Sequence, residues 1–256
     1  TVAFNDYKAV VNQAIQCVPT GVNVVLLADR GFAHPELMRA LTQQWHSSYR
    51  IRLKKDTWVW RAGKGWTQLQ DFHFNRGEAL CFHTVRIHKD AWYGPVHLAV
   101  GRNNVNGEFW AIVSDEPTTL QTFCEYGLRF DIEESFLDDQ SNGWNVQKSQ
   151  IRSVCDLSRL WFILAIATLF VTAQGVQVVA DKQRRWVDTH WFRGNSYFRI
   201  GWDWIKAAAL NGWTIVQNIT FSSHRDPDPA IVSQKHQEGH AYRFEFKVFT
   251  YAYESG

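Results

Sequence analysis

The run Val22-Asn23-Val24-Val25-Leu26-Leu27 constrains the fold more than any other stretch of the chain. Its β-branched and leucine side chains leave both faces of an extended segment apolar. That pattern belongs to a strand covered on both sides, as at the centre of a mixed or parallel sheet. Ala28-Asp29-Arg30-Gly31 ends the strand, and His34-Pro35-Glu36 opens a helix running to about Trp45, with Pro35 in its first turn. Upstream, Val10, Val11, Ala14 and Ile15 recur at helical spacing between Asn5 and Cys17, and Pro19-Thr20-Gly21 breaks that period.

From Tyr49 to Ser114 the texture changes to short, often alternating strands such as 'ALCFHTVRIH', 'VHLAVGR' and 'EFWAIVS'. Gly101 to Glu108 reads as a hairpin turn between two of them. Helical period returns after Pro117, over roughly Leu120 to Gln140, with a break near Asn142-Gly143 and an apolar helix around Ser158 to Ala173. Basic, Trp-rich sequence fills Lys182 to Trp213, and 'YRFEFKVFTYAY' alternates like a strand. The expected class is α/β, a mixed sheet with helices interrupted by a β-rich insertion. Four regions follow: 1–48, the insertion 49–117, core helices 118–175, and a basic, aromatic C-terminal region 176–256.

Hydrophobic residues make up 45% of the 256 and charged residues 20%, a globular balance with room for one large domain or two small ones. Lys and Arg number 27 against 25 Asp and Glu, a formal charge of +2. Total charge therefore does not draw in nucleic acid, although a local basic patch is allowed. Cys17, Cys81, Cys124 and Cys155 form no C-x-x-C pair and no secretory leader is evident, so they read as small buried residues of a cytoplasmic protein. Leu160 to Ala173 is too short for a membrane span, which needs about 20 residues, so no membrane segment is expected. The histidines are scattered and none falls in an H-E-x-x-H motif, so a zinc site is not expected.

Three places carry candidate chemistry. Asp29 ends the apolar strand, where open α/β sheets gather catalytic groups, although an aspartate there can equally cap the next turn. On the helix 'QTFCEYGLRFDIEESFLDDQSNGW', Tyr126, Arg129, Glu133 and Gln140 share one stripe, with Arg129 and Glu133 an i,i+4 pair. A solvated face with a weak ion pair would look similar. In 'DKQRRWVDTHWFRGNSYFR', Arg184, Arg185 and Arg193 alternate with Trp186, Trp191, Phe192 and Tyr197. Cations interleaved with aromatics suit nucleic acid, and surface loops whose rings pack inward give the same pattern.

'VVLLADRGF', followed about a hundred residues later by 'VSDEPTTLQTFCEYGLRFDIEESFLDDQS', resembles the DDE-class transposases of bacterial insertion sequences. Their branch with the Y-x2-R-x3-E-x6-K signature aligns Tyr126, Arg129 and Glu133, and Gln140 stands at the Lys position. 'LSRLWFILAIATLFVTAQG' and 'SYFRIGWDWIKAAALNGW' resemble that branch's C-terminal helices, so the likeness spans most of residues 1–215.

The resemblance implies a ribonuclease-H-like core that cleaves and joins DNA strands. Asp29 would be the second catalytic Asp and Glu133 the catalytic Glu, together holding Mg²⁺ or Mn²⁺, two ions in a complete site. Such ions activate the nucleophile and stabilise the leaving oxygen, and hard cations take carboxylate ligands. Tyr126 and Arg129 would contact phosphate, with Arg184, Arg185 and Arg193 on double-stranded DNA. The partners implied are element ends, target DNA and a second copy in a synaptic homodimer, in the cytoplasm at the nucleoid. Only Asp6 precedes Asp29, in helical sequence, so the first catalytic Asp is expected upstream of Thr1 and the chain is expected to be truncated and inactive alone. The alternatives are a non-enzymatic DNA-binding remnant of a transposase and, from another class, a Trp-rich carbohydrate-binding module.

Overall fold

The computed structural model describes residues 4–130, 132, 143–217, 219 and 248–252. The chain divides into two compact units, residues 1–131 with 238–256, and residues 132–237.

The first unit begins with α1 (Phe4–Gln16), β1 (Val25–Ala28) and α2 (Pro35–Arg39), which passes into a π-helical turn, Ala40–Gln44. Then come β2 (Ser48–Arg52), β3 (Trp58–Arg61), β4 (Gly65–Gln68), β5 (Glu78–Ile87), β6 (Tyr93–Arg102), β7 (Phe109–Ser114) and α3 (Leu120–Gly127); β8 (Val248–Ala252) returns from the far end of the chain. One sheet runs in the order β1-β2-β7-β6-β5-β3-β4, with β8 parallel to β5. β1 and β2 are parallel and α2 lies between them in sequence, whereas the remaining neighbours along that path are antiparallel. The fold is mixed α/β.

Strand alternation sorts the two faces of this sheet. Leu98, Val100, Ala111 and Val113 join Leu37, Met38 and Leu41 in the larger core. Ala79, Cys81, Ala99, Trp110 and Ile112 face the other way, against Phe123 and Tyr126 of α3. The small Ala79, Cys81 and Ala99 leave space there for three large rings.

One expectation needs correction here. β1 stands at the end of the sheet order rather than at its centre, and among the described residues it pairs with β2 alone. Val25 is accordingly 42% exposed and only Ala28 of the strand is buried. Within the sheet, β2 pairs with β1 on one side and with β7 on the other.

The second unit holds α4 (Val154–Ala180) and α5 (Tyr197–Asn211), capped at their N-termini by the Ser153 and Ser196 hydroxyls. A Cβ on Gly175 would overlap the Tyr197 carbonyl oxygen, and one on Gly201 would overlap that of Val171. The two helices therefore cross backbone against backbone, which glycine alone permits. Gln174 is fully buried beside this crossing and exchanges hydrogen bonds with the Val216 backbone at 2.7 and 2.8 Å.

α4 is 27 residues long, beyond the apolar run expected from sequence, and by length and composition it could cross a membrane. Core helices share that length and composition. Contrary to the expectation of a buried helix, Phe162, Ile163 and Ile166 are exposed.

Candidate functional site

Asp29 leaves the C-terminal end of β1 and starts a tight 3-10 turn, Arg30–Phe32. Its Oδ1 accepts the Arg30 backbone N–H at 2.7 Å, and the Arg30 Nε lies 4.0 Å away. The capping role is thus realised, while the side chain stays 45% exposed and open to a ligand.

α3 is fixed by a capping box, in which Thr119 accepts the Gln121 N–H and Thr122 accepts the Thr119 N–H. Tyr126 is fully buried, its ring edge-on to Trp110 at 5.3 Å. Burial pushes its hydroxyl above the ordinary tyrosine pKa; Arg129 and Arg52 act to lower it, and Asp29 to raise it. α3 packs on the sheet through Phe123 and Tyr126, which lie in one cluster with Trp110 and Ile112. Arg129 lies 4.5 Å over the Phe130 ring and is half-buried. Tyr126 belongs to the core in this conformation, so of the two expected phosphate contacts Arg129 is the one with surface. Glu133 and Gln140 lie outside the described residues. Asp6 falls in the first turn of α1, on a helix as its sequence suggests.

Sequence reasoning missed Arg50. Its guanidinium is buried and bonds Glu125 of α3 through Nε at 3.0 Å, Glu116 through Nη2 at 2.7 Å and the Ser114 hydroxyl through Nη1 at 3.0 Å. Burial alone would lower its pKa, yet Glu116 and Glu125 more than offset that and raise it. Arg50 ties α3 to β2 and to the end of β7. The available signal was Arg50-Ile51-Arg52, two arginines on one face of a strand whose other face is apolar. Arg52 likewise bonds Glu108 at 2.6 Å and lies 5.5 Å over the Trp110 ring.

In the second unit, Arg184 bonds Asp188 and the carbonyls of His190 and Phe192. Arg193 is 4% exposed and lies 3.9 Å over the Tyr197 ring. Both guanidinium groups are used inside the fold, and Arg185 is the exposed member of the three. Trp186, Trp204 and Trp213 form one cluster with centroids 4.9 to 5.9 Å apart, although Trp186 and Trp191 stay largely exposed.

Among the described residues, no three His, Cys, Asp or Glu side chains gather to hold a metal. Asp29 alone of the expected carboxylate pair is described, and one carboxylate does not make a divalent-ion site. His83 and His97 approach to 3.1 Å between their Nδ1 atoms on adjacent strands, which is a shared-proton contact rather than a ligand set. The cysteines also depart from expectation: Cys81 is buried, whereas Cys17, Cys124 and Cys155 are exposed. No family model, curated protein or solved structure matches the chain.

Proposed function

We propose that the chain is the catalytic region of a DNA transposase, with a ribonuclease-H-like core that cuts and joins double-stranded DNA at element ends. One observation carries this reading. Asp29 closes the first strand of a parallel strand–helix–strand unit, with its partly exposed carboxylate at that strand's C-terminal end. Catalytic groups of open α/β sheets collect at such strand ends. Mg²⁺ or Mn²⁺ held by Asp29 and Glu133 would supply the activated nucleophile and stabilise the leaving oxygen. Arg129 would neutralise phosphate, and Arg185 would track the duplex backbone of the element end or target. Two copies would bring two ends together.

The test is nicking of a duplex carrying the DNA that flanks the reading frame, with Mg²⁺ or Mn²⁺ added. Asp29→Asn and Glu133→Gln should each abolish cleavage, and Arg129→Gln should reduce it at least about tenfold. Cleavage indifferent to all three, or absent from the complete reading frame, would remove the assignment. A second reading, a DNA-binding relative without catalysis, is favoured by the engagement of the Asp29 carboxylate as a cap. It expects duplex binding with no cleavage.

A further inference from the structure

A cleft of about 730 Å³ opens in the first unit beside the turn after Asp29, on residues that the catalytic reading does not use. Its floor is aromatic. Phe72 and Phe74 lie nearly parallel, 9° apart with centroids at 6.4 Å, and Phe109 adjoins Phe74 at 6.1 Å. Arg61 backs the floor, 4.5 Å from the Phe72 ring. The rim is cationic, with the exposed Arg30, Lys55 and Arg102. Glu108 is the one acid in the lining, and Arg52 neutralises it at 2.6 Å.

The cleft has the size of a small-molecule site and the lining of neither an apolar ligand pocket nor a simple anion patch. Half-buried rings below three cations fit a chain that alternates planar apolar faces with negative charges. We propose that this cleft seats one unpaired strand of nucleic acid, its phosphates on Arg30, Lys55 and Arg102 and a base against the Phe72–Phe74–Phe109 floor. A duplex presents its phosphates but keeps its bases stacked, so it cannot use the floor. The β-rich segment thus holds a strand next to the turn that carries Asp29. The inference rests on the nucleic-acid part of the reading above.

The experiment measures anisotropy of a labelled oligothymidylate and of a matched blunt duplex on the whole chain across a salt series. Phe74→Leu keeps an apolar floor without the ring and should weaken single-strand binding at least about fivefold while leaving the duplex unchanged. Replacing Arg30, Lys55 and Arg102 together by Gln should weaken it further and flatten the log–log salt slope by about 2. A silent Phe74→Leu, an equal loss on duplex, or an unchanged slope overturns the proposal. A bromouracil-substituted oligonucleotide gives a readout that needs no variant: crosslinks should map to residues 69–109, and crosslinks elsewhere only would overturn it. Strand binding retained without cleavage counts against the transposase alone. Cleavage retained with these variants silent counts against the cleft alone.

Discussion

Four donors enclose the fully buried Asp188 carboxylate: the His190 ring at 2.6 Å, the Gly194 N–H at 3.0 Å, Arg184 at 3.3 Å and the His190 N–H at 3.4 Å. Burial would raise its pKa, but these bonds win and hold it below the ordinary aspartate value. A folded-state pKa below the unfolded one means that the stabilisation is complete above the unfolded value, about 3.9, and is lost as pH falls through the lower folded value. Arg184→Met leaves that charge buried with fewer partners and should cost about 3 kcal/mol or more at pH 7. In urea unfolding followed by tryptophan fluorescence, the difference from the parent chain should shrink below about pH 4 as the carboxylate is protonated. A difference that stays constant with pH would show that Arg184 acts by packing alone. Here the sequence was legible only in part. It displays Arg184 as one of a row of cations, and the acid that claims it is visible at i+4, but the enclosure made by His190 and Gly194 depends on a loop whose shape no periodicity reports.

Elements were easier to read than residues, because alternation and helical period are local signals. The helix at Phe4–Gln16, the strands at Glu78–Ile87, Tyr93–Arg102 and Phe109–Ser114, and the hairpin between the last two all stand where their patterns place them. Their neighbours were not legible, since pairing order is set by contacts between distant segments. The β1 run shows the consequence. It has the doubly apolar character of a covered strand, yet its outer edge carries no strand among the described residues. An open apolar edge is a template for intermolecular pairing, which a charged side chain blocks. Val25→Lys should therefore suppress concentration-dependent association, seen as a lower weight-average mass by sedimentation or light scattering, and should change stability by only about 0.5 kcal/mol. Association that persists undiminished would place the contact elsewhere.

At the scale of the whole molecule, a formal charge of +2 leaves nucleic-acid affinity to local surfaces, and three exposed cations, Arg30, Lys55 and Arg102, line the cleft of the first unit. The sequence divides the chain into four stretches by texture, but cores follow burial rather than texture. The sheet draws residues 49–117 into one body with the helices before and after, and the helix pair forms a second core around Val178, Ile200, Trp204 and Ala208. Gly175 and Gly201 sit within this second body, where their lack of a Cβ sets the distance of closest approach between α4 and α5. Gly201→Ala forces the helices apart at that crossing and should cost about 1–3 kcal/mol by overpacking. Hydrogen exchange read peptide by peptide should show the loss in Val154–Ala180 and Tyr197–Asn211, with the amides of β5, β6 and β7 protected as before. Separate cores predict this confinement, because the cost of opening one need not include the other. Equal loss of protection in the sheet would mean that the two bodies unfold as a single cooperative unit, and that the helix pair stabilises the candidate site around Asp29 as well as itself.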